Sequence, residues 1–189
     1  MAKDKFINRT LKQRGFSLIE VLVVTTILVL VTGGAIAGYN QFNYKRKVIA
    51  VGQNFRNVLR DAQSRAFTGE KDCTVCGCTG LPNDANLQGW TINLTNSTMY
   101  GNCAPTANPT PSNFPLTPIP IPTTSNMVIT AQTSVSISSF QFKTFPKGTN
   151  QSSVINICVR PTPWAGYNYQ IIIDPSGNIR DYGITTSCS

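Results

Sequence analysis

The sequence predicts an α+β protein in which one long N-terminal helix, apolar at first and amphipathic later, packs on an antiparallel β-sheet head. Three observations carry that expectation. No charged residue occurs from Val21 to Tyr44, a stretch of 24, and about 20 apolar helical residues are enough to span a bilayer. Val48, Val51, Phe55, Val58, Leu59, Ala62 and Ala66 then recur at three- and four-residue steps, which is one face of a helix. Beyond Phe67 the chain breaks into short β-prone runs separated by turn residues. Four segments follow: 1–15, 16–44 as a transmembrane helix, 45–67 as an amphipathic helix, and 68–189 as the head.

Charge is distributed unevenly. The first fifteen residues hold five bases (Lys3, Lys5, Arg9, Lys12, Arg14) against one acid, Asp4. Of the net +8, only +4 is left for the other 174 residues, too little and too scattered for a nucleic-acid footprint. A basic flank before an apolar run predicts a cytoplasmic N-terminus, with the rest of the chain outside. Lys45-Arg46-Lys47 oppose that bias and are expected to snorkel at the outer interface.

Three readings compete for the apolar run. One is a secretory signal cut at Ala35-Ile36-Ala37, and another is a plain signal anchor. The third rests on Arg14-Gly15-Phe16-Ser17-Leu18-Ile19-Glu20. Glu20 discriminates among them, because an acid beside the apolar run serves neither of the first two. A charge at the centre of a membrane helix costs roughly 2.5–3.5 kcal/mol, less near its edge. No basic side chain lies between Glu20 and Lys45 to offset that cost. Cleavage after Gly15 would create an α-amino cation on Phe16. At about 4 Å and an effective dielectric near 20, that cation attracts a carboxylate by about 4 kcal/mol.

This heptapeptide and the run behind it resemble the type IV prepilins and the pseudopilins of type II secretion systems. The resemblance covers roughly residues 1–70. It implies a leader ending at Gly15, cleavage there by a prepilin peptidase, N-methylation of Phe16, and Glu20 as the acid that docks the subunit into a filament. The implied partners are identical or related pilin subunits and an inner-membrane assembly platform. The implied location is a single-pass membrane precursor, later an extracellular filament or a periplasmic pseudopilus. The Phe16–Phe67 helix would be about 78 Å long at 1.5 Å per residue. Gly33-Gly34 would serve either as a soft point in it or as a close-packing surface. Arg60 through Ala66 is loosely similar to minor pseudopilins. The rival from another class is a secreted or anchored, disulfide-rich β domain that binds a ligand and does not polymerise.

Histidine is absent, removing the commonest general base and metal ligand. No nucleophile elbow, P-loop or zinc-protease motif occurs. The sequence therefore predicts no enzyme, no metal site and no cofactor. Cys73, Cys76, Cys78, Cys103, Cys158 and Cys188 all follow the apolar run. In an exported region they favour up to three disulfides over a four-thiolate zinc site built from the first four.

Strands are expected at Trp90–Leu94, Met127–Thr130, Val135–Lys143, Val154–Val159, Tyr167–Ile173 and Ile179–Ile184, forming one sheet of four to six strands. Asp174-Pro175-Ser176-Gly177-Asn178 reads as the turn joining the last two. Seven prolines between Cys103 and Thr123 predict an extended surface loop. Two N-x-S/T sites, at Asn93 and Asn96, are near chance in a chain this rich in Asn and Thr.

Overall fold

The computed structural model describes residues 15–78, 86–104, 112–122, 126–162 and 166–188. The leader up to residue 14, three of the seven prolines (Pro105, Pro109, Pro111) and Thr123 lie outside them. The chain divides into two compact units, Met1–Phe42 and Asn43–Ser189. An unbroken helix, α1 (Leu18–Thr68), runs through both.

In the first unit α1 buries no described side chain: Leu18 is 83% exposed and Leu30 76%. Leu, Ile and Val crowd every side of the helix, so no polar face is set aside for water. Three hydroxyls in the run are satisfied by their own helix. Thr25 donates to the Leu22 carbonyl at 2.9 Å, Thr26 to Val23 at 2.8 Å, and Thr32 to Leu28 at 2.7 Å. That pattern removes the desolvation cost a free hydroxyl would carry in an apolar medium. Gly33-Gly34 leave the helix unbroken.

In the second unit the same helix becomes a core element. Val48, Val51, Phe55, Leu59, Ala62 and Ala66 are buried, the last four completely. Its end is a Schellman motif: the Gly69 amide donates to Ala66 at 3.3 Å and the Glu70 amide to Arg65 at 2.9 Å. Gly69 sits at φ 74, a backbone conformation that glycine adopts without penalty.

After a single turn, α2 (Cys73–Cys76), come ten strands among the described residues. They are β1 (Asn86–Asn93), β2 (Thr98–Ala104), β3 (Ser112–Pro120), β4 (Met127–Gln132), β5 (Ser136–Ile137), β6 (Ser139–Lys143), β7 (Gly148–Thr149), β8 (Ile155–Pro161), β9 (Asn168–Ile173) and β10 (Ile179–Thr185). Their ladders are antiparallel and form two five-stranded sheets, β3-β2-β1-β6-β7 and β10-β9-β8-β4-β5. This corrects the expected single sheet. The run expected as one strand over Val135–Lys143 breaks at Ser138 into β5 and β6, and each half joins a different sheet.

The proline-rich segment is also corrected. Its described part is not a free loop: β3 pairs along β2, with Phe114 opposite Gly101 and Ile119 opposite Met99. Pro115 and Pro118 fall between those two pairs, where the register shifts. An edge strand with an irregular ladder tolerates residues that donate no hydrogen bond.

Both sheets and the helix share one core. Trp90, Ile92, Phe140 and Phe142 contribute from the first sheet, and Ile155, Ile157, Ile171 and Ile173 from the second. Trp90 meets Phe114 edge-on at 5.4 Å, a favoured aromatic arrangement. Disulfides join Cys73 to Cys78, Cys76 to Cys103, and Cys158 to Cys188, with Cα separations of 5.0, 5.6 and 6.1 Å. The second ties α2 to β2, and the third ties β8 to the tail behind β10. Peptide mapping without reductant is expected to recover these three cross-links; Cys76 linked to Cys73 or Cys78 instead would contradict the arrangement.

Gly52 decides how closely the helix sits on β9. A Cβ there would overlap the Tyr169 ring. Gly52→Ala improves helix propensity by about 1 kcal/mol, yet it is expected to destabilise the head by about 1–3 kcal/mol through overpacking. Thermal unfolding of the full chain in detergent tests this, and an unchanged or higher Tm would contradict the close packing.

Candidate processing and assembly site

Helix α1 begins where the sequence places its chemistry. The Ser17 carbonyl accepts the first helical hydrogen bonds, from the Glu20 amide at 3.0 Å and the Val21 amide at 3.2 Å. Gly15 and Phe16 therefore precede the helix in extended or irregular backbone, and Phe16 is 81% exposed. A peptide bond outside the helical ladder is open to a protease without unwinding. By contrast, Ala35-Ile36-Ala37 lies inside the unbroken helix.

Phe16, Glu20, Val21, Val24 and Thr25 line a shallow, mostly apolar groove of about 240 Å³ on the side of α1. The structure thus brings the residue after Gly15 and the lone acid onto one face. Glu20 is exposed and stands in the first turn, where a carboxylate also favours the positive end of the helix dipole.

Ser17 was passed over in reading the sequence for chemistry. With Glu20 three residues later it has the spacing of a capping box. The signal was available in Ser17-Leu18-Ile19-Glu20 as it stands. It offers Glu20 a local task as well as an intermolecular one.

Within the second unit, charged groups are arranged for structure. Arg65 pairs with Asp61 at 3.0 Å and Glu70 at 2.7 Å and lies 5.0 Å from the Trp90 ring. The Trp90 indole donates to the Glu70 carbonyl at 3.1 Å. This cluster seals the end of α1 against the first sheet. On the second sheet, Asp181 accepts from Arg56 at 2.6 Å and from the Tyr169 hydroxyl at 2.7 Å. Asp174 in the β9–β10 turn pairs with Arg180 at 2.6 Å.

Residues 10–36 match the family described as the prokaryotic N-terminal methylation motif. That motif and the apolar helix it runs into fit a membrane-anchored precursor with a class III leader. The motif supports a type IV pilin-like or pseudopilin precursor. No curated protein and no solved structure matches it.

Titration of Tyr169 bears on the stability of the head. Burial first, then the hydrogen bond and charge of Asp181, push its phenol from 10.0 up to about 12, with Arg56 opposing. The folded state therefore holds this proton more tightly than the unfolded chain. The corresponding stability is fully present below about pH 10 and is lost as pH rises towards about 12. Urea titrations between pH 9 and 12 should show that loss, and Tyr169→Phe should flatten it. Identical slopes in both proteins would remove Tyr169 as the cause.

Proposed function

We propose that the chain is a structural subunit of a type IV pilus or a related filament. The single observation behind the proposal is the coincidence, within six residues, of an accessible Gly15–Phe16 bond and a lone acid at the head of a helix whose first half carries no other charge. In this reading prepilin peptidase cuts after Gly15 and Phe16 is N-methylated. Glu20 then pairs with the new amine of a neighbouring subunit while the apolar runs pack together. The assembly platform of the inner membrane lifts subunits out of the lipid, and the heads face outward. The chain acts by assembly and not as an enzyme.

The energetics favour an amine partner for Glu20, whether its own Phe16 or that of a neighbouring subunit. A solitary carboxylate at the edge of hydrocarbon costs on the order of 2 kcal/mol, and a charge-assisted hydrogen bond to an amine contributes about 1.5–3 kcal/mol. The two roughly balance, so Glu20 becomes favourable only where the amine is supplied. The type II secretion pseudopilin is the neighbouring reading, favoured by the sequence from Arg60 to Ala66. Both readings use the N-terminal helix in the same way.

The mature N-terminus of exported protein is expected to be Phe16, heavier by one methyl group. Glu20→Ala is expected to leave that processing within about twofold of normal while reducing incorporation into filaments by at least about tenfold. Immunoblots of membrane and sheared filament fractions read both. An exported form starting at Gly38 or Met1, or normal filament content for the mutant, would falsify this assignment.

A further inference from the structure

The three disulfides differ in what surrounds them. Cys73 and Cys78 are both exposed. Cys76 is 2% exposed, and its partner Cys103 is fully buried. Cys158 is buried and Cys188 half-buried, so the third bond is shielded on one side. Exchange requires a thiolate to reach a disulfide sulfur. An external thiol therefore meets Cys73–Cys78 in the folded chain, and Cys76–Cys103 only after the structure has opened.

The bonds also differ in what they hold. Cys73–Cys78 spans a sequence separation of 5, against 27 and 30 for the other two. A cross-link that closes so short a ring removes little freedom from the unfolded chain, so opening it costs the fold least. The turn it closes has other supports. The Asp72 carboxylate accepts from the Thr74 amide at 2.8 Å and from the Thr74 hydroxyl at 2.6 Å. The Cys76 amide donates to the Asp72 carbonyl at 2.7 Å, and the Gly77 amide to the Cys73 carbonyl at 3.1 Å. Val75 packs against the shared core, and Cys76 is tied to Cys103 in β2. Helix α2 is thus anchored from its buried side, whether or not the bond on its exposed side is closed.

We infer that Cys73–Cys78 is a site of reversible modification by a small thiol. The incoming thiolate attacks one of the two sulfurs and forms a mixed disulfide with it. The Cys73–Cys78 bond breaks, and the departing sulfur takes a proton from water to become a free thiol. One disulfide is exchanged for another, with no net oxidation. Attack of that freed sulfur, as its thiolate, on the mixed disulfide expels the small thiol and restores the ring. The exchange uses the head alone and is independent of any assembly through α1.

The test treats the full-length chain, purified in detergent without reductant, with millimolar reduced glutathione at about pH 8, where a thiol is partly thiolate. Free thiols are blocked with N-ethylmaleimide at timed intervals, and both adducts are located by peptide mass mapping. Glutathione and the alkylating label are expected on Cys73 and Cys78 at least about tenfold faster than on any other cysteine. The Tm of the modified chain should stay within about 5 °C of the untreated one. Cys73→Ser combined with Cys78→Ser should abolish the fast labelling and move Tm no further than that. Cys76→Ser combined with Cys103→Ser should lower Tm at least about twice as far. Labelling of all six cysteines in step would mean that the bonds open only with the whole head, and overturns the inference. First labelling at Cys76 or Cys158 does the same, as does a chain inert to glutathione until it is denatured. A Tm that falls as far without Cys73 and Cys78 as without Cys76 and Cys103 would make the exposed bond a structural staple, and likewise overturns it.

Discussion

Water cannot cover the first half of α1 at acceptable cost, and most of what this chain does follows from that. From Val21 to Tyr44 every side of the helix is apolar or uncharged, and no described side chain there is buried by the chain itself. At roughly 25 cal/mol per Å² of exposed apolar surface, such a helix must be taken up by lipid or by other helices. The backbone is ready for either, since each helical amide and carbonyl is paired within the segment. The threonine hydroxyls are likewise returned to their own carbonyls. What is left to specify a partner is confined to the ends.

The second half of the same helix obeys a different rule. Its stripe from Val48 to Ala66 is the floor on which two sheets meet, and Gly52 lowers that floor to admit the Tyr169 ring. Where polar groups approach the core most are paired, as Tyr169 is with Asp181, or Arg65 with Glu70 and Trp90 with the Glu70 carbonyl; the buried Arg56 Nε and the Thr130 and Thr144 hydroxyls are exceptions. A buried polar group is tolerated when its partners are supplied. The disulfides secure the parts with least core of their own: the single turn of α2, and the tail behind β10.

The helix and the N-terminal motif were legible in the sequence because their signals are local. A charge-free run, a three-and-four periodicity and a heptapeptide need no knowledge of distant contacts. The head was only half legible. Strands β1, β4, β8, β9 and β10 announced themselves through Val, Ile and aromatic residues, whereas β2 reads Thr-Met-Tyr-Gly-Asn-Cys-Ala and β3 carries three prolines. Their pairing is imposed from outside, by Trp90 and Phe114 packing together and by Cys76 bonding to Cys103. Division into two sheets was equally hidden, because the break at Ser138 depends on where β4 and β1 already lie. Disulfide connectivity could not be read at all, since fifteen pairings share one sequence.

A helix that must leave one apolar surrounding for another gains from being indifferent along its length and particular at its ends. Had Thr25, Thr26 or Thr32 reached outward, each would have tied the run to one partner and one depth, at a cost of about 1–2 kcal/mol whenever that partner was exchanged. As built, the run between Val21 and Tyr44 loses little when helices replace lipid. Register then has to come from the charges that bracket it, Glu20 at one end and Lys45 to Lys47 at the other. In the proposed assembly the acid is satisfied only where an amine meets it. Exchange between lipid and neighbouring helices would then be decided by a few charged groups, with the apolar surface close to neutral in the balance.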